Sequence, residues 1–203
     1  MDKAVKYDVI VCTFNGASFI SSQLGSILSQ AILPQKIIVS DDGSCDETIF
    51  IVRNTFANAN FTAYDIMQGP RKGVIANFLF ALKYSEADFT FLADQDDIWH
   101  LDKIQKMSKI IENNDKILLL ASNYTPFYVG DGVKIKLDKS DLDNSEAVYQ
   151  PNFLDNFFHI RRPGCVYAVN KKIIPYFLEI RSNEDAHDAL LWRLASLLNG
   201  LYI

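Results

Sequence analysis

Apolar residues follow two rhythms along the first 122 positions. Short, nearly continuous apolar runs occur in "YDVIVCTF" (7–14), "QKIIVSDDGS" (35–44), "FTAYDIM" (61–67), "DFTFLA" (88–93) and "KILLLAS" (116–122). Runs of this length, rich in β-branched and aromatic residues, predict strands covered on both faces. The intervening segments switch to helical spacing. In 15–30, Phe19, Ile20, Leu24, Ile27 and Leu28 fall on one face. Further helices are predicted over 45–58, capped by Ser44 or Asp46, and over 101–114, whose lysines read as a solvated face, while 69–85 reads as a Gly/Pro loop feeding a helix. Strand and helix alternating in units of about thirty residues predict an α/β fold with a mostly parallel sheet and helices on both sides.

The rhythm then breaks. Residues 123–137 read as an excursion or hairpin with Gly130 and Gly132 near its turn, and 138–150 as a polar surface loop. A helix is predicted over 152–160, a strand over 164–170, and a helix over 171–180 with Pro175 in its first turn or kinking it. An amphipathic helix follows over 186–200, with Gly200 suited to its C-terminal cap, and "LYI" begins another strand.

Length, charge and cysteines narrow the function classes. A chain of 203 residues, 49% hydrophobic and 22% charged, can bury one full core. Its net charge of −5 provides no global basic field for nucleic acid. No apolar run reaches the ~18 residues of a membrane-spanning helix, and "MDKAVKYDVIVC" lacks a signal-peptide pattern. Cys12, Cys45 and Cys165 have neither zinc-site spacing nor a disulfide pattern, which fits a reducing cytoplasm.

In an open α/β sheet, ligands bind beyond the carboxyl ends of the strands. There the first strand delivers Thr13, Asn15 and Gly16, the second Asp41 and Asp42, and the fourth Asp94, Asp96 and Asp97. Residues two apart in an extended segment point the same way, so Asp94 and Asp96 can aim at one point. Oxygen donors of this kind suit Mg²⁺ or Mn²⁺ and leave positions open for substrate phosphates. Without an ion, mutual repulsion raises at least one carboxyl pKa. The bland alternatives are a solvated turn for the Asp-x-Asp and ordinary Asp-Gly turn chemistry for "SDDGS". An Asp there can also accept a hydrogen bond from a pyrimidine N–H. Thr13 and Asn15 either contact a nucleoside or only form the turn.

Together "VIVCTFNGASFISSQLGSILSQ", "IIVSDDGSCDET" and "FTFLADQDDIWHLDKI" resemble family 2 glycosyltransferases, nearest the bacterial rhamnosyltransferase-like branch that builds surface polysaccharides. The resemblance is specific over 7–104 and looser through "RRPGCVYAVNKKI" and "HDALLWRLASLL". It implies a single GT-A domain, a three-layer α/β/α sandwich, with a nucleotide-sugar-binding half (1–100) and an acceptor-binding half (101–203). It implies inverting transfer from a UDP- or dTDP-linked sugar to a saccharide or lipid-linked acceptor, with any membrane attachment peripheral. Asp94-Gln95-Asp96 matches the motif that binds the sugar–ribose region and a divalent ion, Mn²⁺ or Mg²⁺, with Asp96 the metal ligand and Asp94 nearby. Asp41 or Asp42 matches the base-recognising acid, and Asp41, nearer the strand, is favoured. The general base corresponds to Asp188 of the His187–Asp188 pair or, as runner-up, Asp185 of Glu184–Asp185, although either acid can simply favour a helix N-terminus. Arg71, in "GPRKG", either approaches the donor or is an idle surface cation. Asp97, Trp99 and His187 are expected on the acceptor side, with Trp99 also reading as a packing anchor, and His159, Arg161 and Arg162 fall in a loop facing the acceptor. Such enzymes continue past the helix at 186–199, so the chain reads as C-terminally incomplete.

Competing classes fit less well. A nucleotidyltransferase would carry a basic phosphate loop, and "TFNGAS" has no Lys or Arg. A phospho-receiver places its acidic pair after the first strand, whereas here the pair follows the second. A catalytically inactive transferase retained as an assembly partner has the same motifs and is separated only by turnover.

Overall fold

The computed structural model describes residues 5–127, 147–180 and 186–203. Seven strands form one sheet: β1 (Tyr7–Thr13), β2 (Lys36–Asp41), β3 (Tyr64–Gln68), β4 (Phe89–Ala93), β5 (Leu119–Ala121), β6 (Tyr167–Asn170) and β7 (Leu201–Tyr202), in the order β3-β2-β1-β4-β6-β5-β7. β1 pairs in parallel with β2 and β4, β2 with β3, and β5 with β7, while β6 runs antiparallel between β4 and β5. The sheet is therefore mostly parallel, as expected. The fifth strand is not the direct neighbour of the fourth, because β6 is inserted between them.

The sheet is covered on both faces. Alternation along β1 sends Val9 and Val11 to one side, where they meet α1 (Ile20–Leu28), α2 (Thr48–Asn58) and α4 (Lys103–Glu112) through Leu24, Phe56 and Met107. Ile10 and Cys12 face the other side, with α3 (Val74–Ala81), α6 (Ile174–Ile180) and α7 (His187–Leu197) supplying Phe78, Phe177 and Trp192. The result is the three-layer sandwich, and burial of each such large apolar side chain contributes roughly 1.5–3 kcal/mol. A short helix, α5 (Phe153–Phe158), hangs on α7, where Trp192 Nε1 donates to the Asn156 carbonyl at 2.7 Å. Among the described residues no helix is long and apolar enough to cross a membrane.

Several expected boundaries move for local reasons. The Gly/Pro loop expected at the start of 69–85 is present, with Arg71 and Gly73 at φ 58° and 88°, and the helix it feeds begins at Val74. The N-cap position of α2 is Glu47, which makes no side-chain cap bond; Asp46, just before it, accepts from Thr48 N at 3.0 Å, whereas the Ser44 hydroxyl is committed to Asp41. At the end of α7 the left-handed residue is Asn199 (φ 57°), not Gly200. Gly200 is required for space, since a Cβ there would lie 2.4 Å from Leu118 Cγ. Residues 123–127 carry no regular element, and the expected turn at Gly130 and Gly132 lies outside the described residues.

Candidate active site

The strand order reverses at β1 and β4. β1 connects outward to β2 and β3, and the chain then crosses back to place β4 on the other side of β1. A crevice opens at the carboxyl ends of such strands. Because β6 is antiparallel, its amino end lies at this same edge, preceded by a 3₁₀ turn, Gly164–Val166. The N-terminus of α7 is also there, as a Cβ on Gly164 would come within 2.8 Å of His187 Nε2 and 3.1 Å of Asp188 Cβ.

On the β1–β2 side, the polar candidates are bonded to one another. Asp41 Oδ1 accepts from the Thr13 and Ser44 hydroxyls at 2.9 and 2.5 Å, and its Oδ2 from the Gly43 and Ser44 amides at 3.1 and 2.9 Å. These four bonds fill the carboxylate's lone pairs. Asp42 is engaged less completely, accepting from the Gly73 amide at 2.6 Å and the Lys72 amide at 3.3 Å. Asn15 adopts φ 48°, accepts from Cys45 N through its side chain, and donates its own amide to Ser44 Oγ, both at 2.8 Å. Thr13 and Asn15 thus stitch two loops together. Arg71 lies across Gly43, where an added Cβ would be 3.1 Å from the arginine side chain. With the Gln68 amide turned so that its oxygen faces the guanidinium, Arg71 Nε and Nη2 donate to it at 3.0 and 2.7 Å.

The β4 side is built differently. β4 ends at Ala93 and the chain turns at Gln95 and Asp96. The extended backbone assumed for 94–96 is therefore absent. Asp94 and Asp97 converge instead, with ligand atoms within 4.8 Å of each other and of Cys165 Sγ, while Asp96 is exposed on the turn. Gln95 fixes the turn to β1: its Oε1 accepts from Phe14 N at 2.9 Å and its Nε2 donates to Phe14 O at 3.2 Å. Gly16 leaves room for this clamp, since a Cβ there would sit 2.2 Å from Gln95 Oε1.

The crowded acids are perturbed. Burial pushes the Asp94 carboxyl up to about 6, helped by the charges of Asp97, Asp96 and Asp188 and opposed by a hydrogen bond to the Cys165 side chain. Burial likewise raises Asp97, against the pull of Cys165 and Lys103. Repulsion between the carboxylates thus acts as expected, but desolvation is the larger cause.

Lys103 is the residue the sequence reading misplaced. Its Nζ lies 3.9 Å from the Trp99 ring centroid and donates to the Cys165 carbonyl at 3.2 Å. Burial lowers it to about 8, opposed by the neighbouring Cys165 sulfur and the Asp97 carboxylate. The helical period carried the signal, because 103 shares a stripe with buried Met107 and Ile111. Nothing in the sequence singled out Cys165, whose place depends on the insertion of β6.

Two acceptor-side candidates are packing residues. Trp99 is 5% exposed, tilted against Phe91 at 6.0 Å, and offers no open face to a sugar. His187 stacks on Phe78 at 4.4 Å, its Nδ1 is buried without a hydrogen-bond partner among the described residues, and burial lowers its pKa. Arg162 is also buried, at 3% exposure, with its Nη2 on Asn123 Oδ1 at 2.8 Å, whereas His159 and Arg161 are exposed. Asp188 stands in the first turn of α7, Oδ1 accepting from Ala189 N at 2.7 Å. Asp185 lies outside the described residues.

Comparison with known proteins agrees with this geometry. The model of the family described as "Glycosyl transferase family 2" matches residues 8–165. The dTDP-rhamnosyl transferase RfbG of Shigella flexneri is 31% identical over 202 residues, covering 93% of this chain and 66% of that protein. Among solved structures, S. aureus TarS 1–349 in complex with UDP-GlcNAc superposes with a TM-score of 0.74 at 22% identity, over 95% of this chain and 54% of TarS. The mannosyltransferase PcManGT of Pyrobaculum calidifontis, solved with GDP-Man and Mn²⁺, gives 0.67 at 18% identity over 93% of this chain and 51% of its own. The chain thus spans less than two thirds of the length of these proteins. Its mostly parallel sheet between two helical layers is that of a GT-A fold, and with the family model covering most of its length the chain belongs to glycosyl transferase family 2.

Proposed function

We propose that the chain is the donor-binding and catalytic part of an inverting glycosyltransferase that moves a sugar from a UDP- or dTDP-linked donor to a saccharide hydroxyl, free or lipid-linked, in surface polysaccharide synthesis. The observation that carries this reading is the acidic cluster of Asp94 and Asp97 at the β1–β4 crevice, only partly offset by Cys165 and Lys103 and with Asp188 near enough to raise Asp94. Similarity to a dTDP-rhamnosyl transferase over 93% of the chain supports a dTDP donor and rhamnose as the first sugar to test.

The donor set fits a divalent cation of the Mn²⁺ or Mg²⁺ class. Asp94 and Asp97 would hold it, with Asp96 as the third acid on the exposed turn between them. When bound, such an ion neutralises charge developing on the diphosphate leaving group.

The chain's own residues supply the rest. Asp42 retains unfilled lone pairs and is better placed than the saturated Asp41 to accept the N–H of a pyrimidine. Asp41, Thr13 and Asn15 keep that loop rigid, and Arg71 forms its wall above Gly43. The acceptor oxygen attacks the anomeric carbon as the bond to the diphosphate breaks, and Asp188 takes the hydroxyl proton. Its Oδ1 is anchored on Ala189 N, and its Oδ2 has no hydrogen-bond partner among the described residues.

The test is transfer from a panel of UDP- and dTDP-sugars to saccharide acceptors, with the anomeric configuration of the product read by NMR. An inverted product made by the wild type and not by Asp188→Asn supports the reading. A retained configuration, or a folded wild type that binds donor without turnover, overturns it in favour of an inactive assembly partner.

A further inference from the structure

We propose that Cys165 is a direct ligand of the cation at this site, giving a mixed thiolate–carboxylate centre that favours thiophilic ions such as Co²⁺, Zn²⁺ and Cd²⁺ over Mg²⁺. The inference rests on the reading of the 94–97 turn as the cation site and adds a donor to it. Cys165 Sγ and the carboxylate oxygens of Asp94 and Asp97 all lie within 4.8 Å of one another, a spread that one ion can bridge.

The backbone that carries the thiol is held from two sides. On one side Lys103, lying over the Trp99 ring, donates to the Cys165 carbonyl at 3.2 Å. On the other, Gly164 is pressed against His187 and Asp188 with no room for a Cβ. Pro163 fixes the entry to the turn, and β6 leaves it immediately. A backbone pinned on both flanks fixes where the Cys165 side chain starts, and Sγ stands within reach of both carboxylates.

Softness decides which ions gain. Mg²⁺ demands oxygen donors in a near-octahedral shell and profits little from sulfur, whereas thiolate favours the later and softer ions. On binding, the Sγ–H bond breaks, a sulfur–metal bond forms, and the proton leaves to solvent, with no change in oxidation state. The other two thiols lie elsewhere: Cys12 is buried beneath the crevice and Cys45 is exposed on the second loop.

The test is Co²⁺ titration of the Cys45→Ser chain, followed by calorimetry and near-ultraviolet absorbance. The expected result is one bound ion with a thiolate-to-cobalt charge-transfer band. Cys165→Ser in that background should lose the band and bind Co²⁺ roughly tenfold more weakly, with Mg²⁺ affinity nearly unchanged. Co²⁺ binding without the band, or a band that survives Cys165→Ser, overturns the thiol ligand and leaves the carboxylate site standing. No binding of Co²⁺, Mn²⁺ or Mg²⁺ at all overturns both. A second measurement needs no variant at 165. Maleimide labelling of Cys165, mapped by mass spectrometry, should slow with Co²⁺ and not with Mg²⁺, and a rate indifferent to Co²⁺ contradicts the proposal.

Discussion

The two halves of the crevice carry acids in opposite states. On the β1–β2 side, Asp41 accepts four internal hydrogen bonds and Asp42 two, so their charge is met by the chain's own N–H and O–H groups. On the β4–β6 side, Asp94 and Asp97 are half-buried together, both raised chiefly by desolvation and further by neighbouring acids (Asp97 and Asp96 on Asp94, Asp96 on Asp97), with the Cys165 thiol and Lys103 as modest relief. Asp41 is finished without a ligand and stiffens a loop, while Asp42 keeps part of its accepting capacity free. The β4–β6 arrangement leaves negative charge that a cation would offset. Counting acids along the sequence makes the halves look alike, whereas counting their donors separates scaffold from site.

Substitutions can break this contrast. The largest expected effect lies beyond both halves, at the proposed base. Asp188→Asn should lower kcat by about 10²–10⁴-fold with donor binding intact. Undiminished turnover would move the base to Asp185. Next, Asp41→Asn should destabilise the fold by about 2–4 kcal/mol in urea denaturation, because an amide NH₂ would face donors that now meet a charged acceptor. Asp94→Asn should leave stability equal or higher at neutral pH. Equal losses at both positions would erase the distinction.

Gly16→Ala sharpens the picture at the seam. Its Cβ would displace the Gln95 amide, remove the clamp on Phe14 and cost about 1–2 kcal/mol. Because the 94–97 turn is then untethered, cation affinity should fall with stability.

The smallest effect is the pH dependence of the ion-free chain. The folded Asp94 carboxyl titrates at about 6 against an ordinary 3.8, so between those values the folded state holds a proton the unfolded state has released. This contribution is fully present below the lower value and is lost as pH rises through the upper one. The groups that bear on Asp94 are Asp96 and Asp97 on its turn, Cys165 before β6 and Asp188 on α7. Thermal melts of the wild type should show this decline, Asp94→Asn should flatten it, and saturating Mn²⁺ should remove it.

Much of this was legible in the chain because it is local. The runs at 7–14, 35–44 and 88–93 marked strands, and their polar exits marked the edge where Asp42, Asp94 and Asp188 stand. What was not legible depends on partners distant in sequence. The backbone after Ala93 turns because Gln95 reaches Phe14, so Asp94 meets Asp97 where alternation had pointed to Asp96. Cys165 enters the site only because β6 inverts beside β4. Asp41 was preferred to Asp42 for its nearness to the strand, which is also what brings it within reach of Thr13 and the 43–44 amides.

The most direct test of the central claim, that the Asp94–Asp97 cluster awaits a cation on which the donor diphosphate rests, is calorimetry of UDP and dTDP binding with and without Mn²⁺. It should be run on the wild type, Asp94→Asn and Asp96→Ala. The account predicts nucleotide binding that requires Mn²⁺ in the wild type and is lost in Asp94→Asn. Binding of equal strength without the ion, or undiminished in Asp94→Asn, would contradict it.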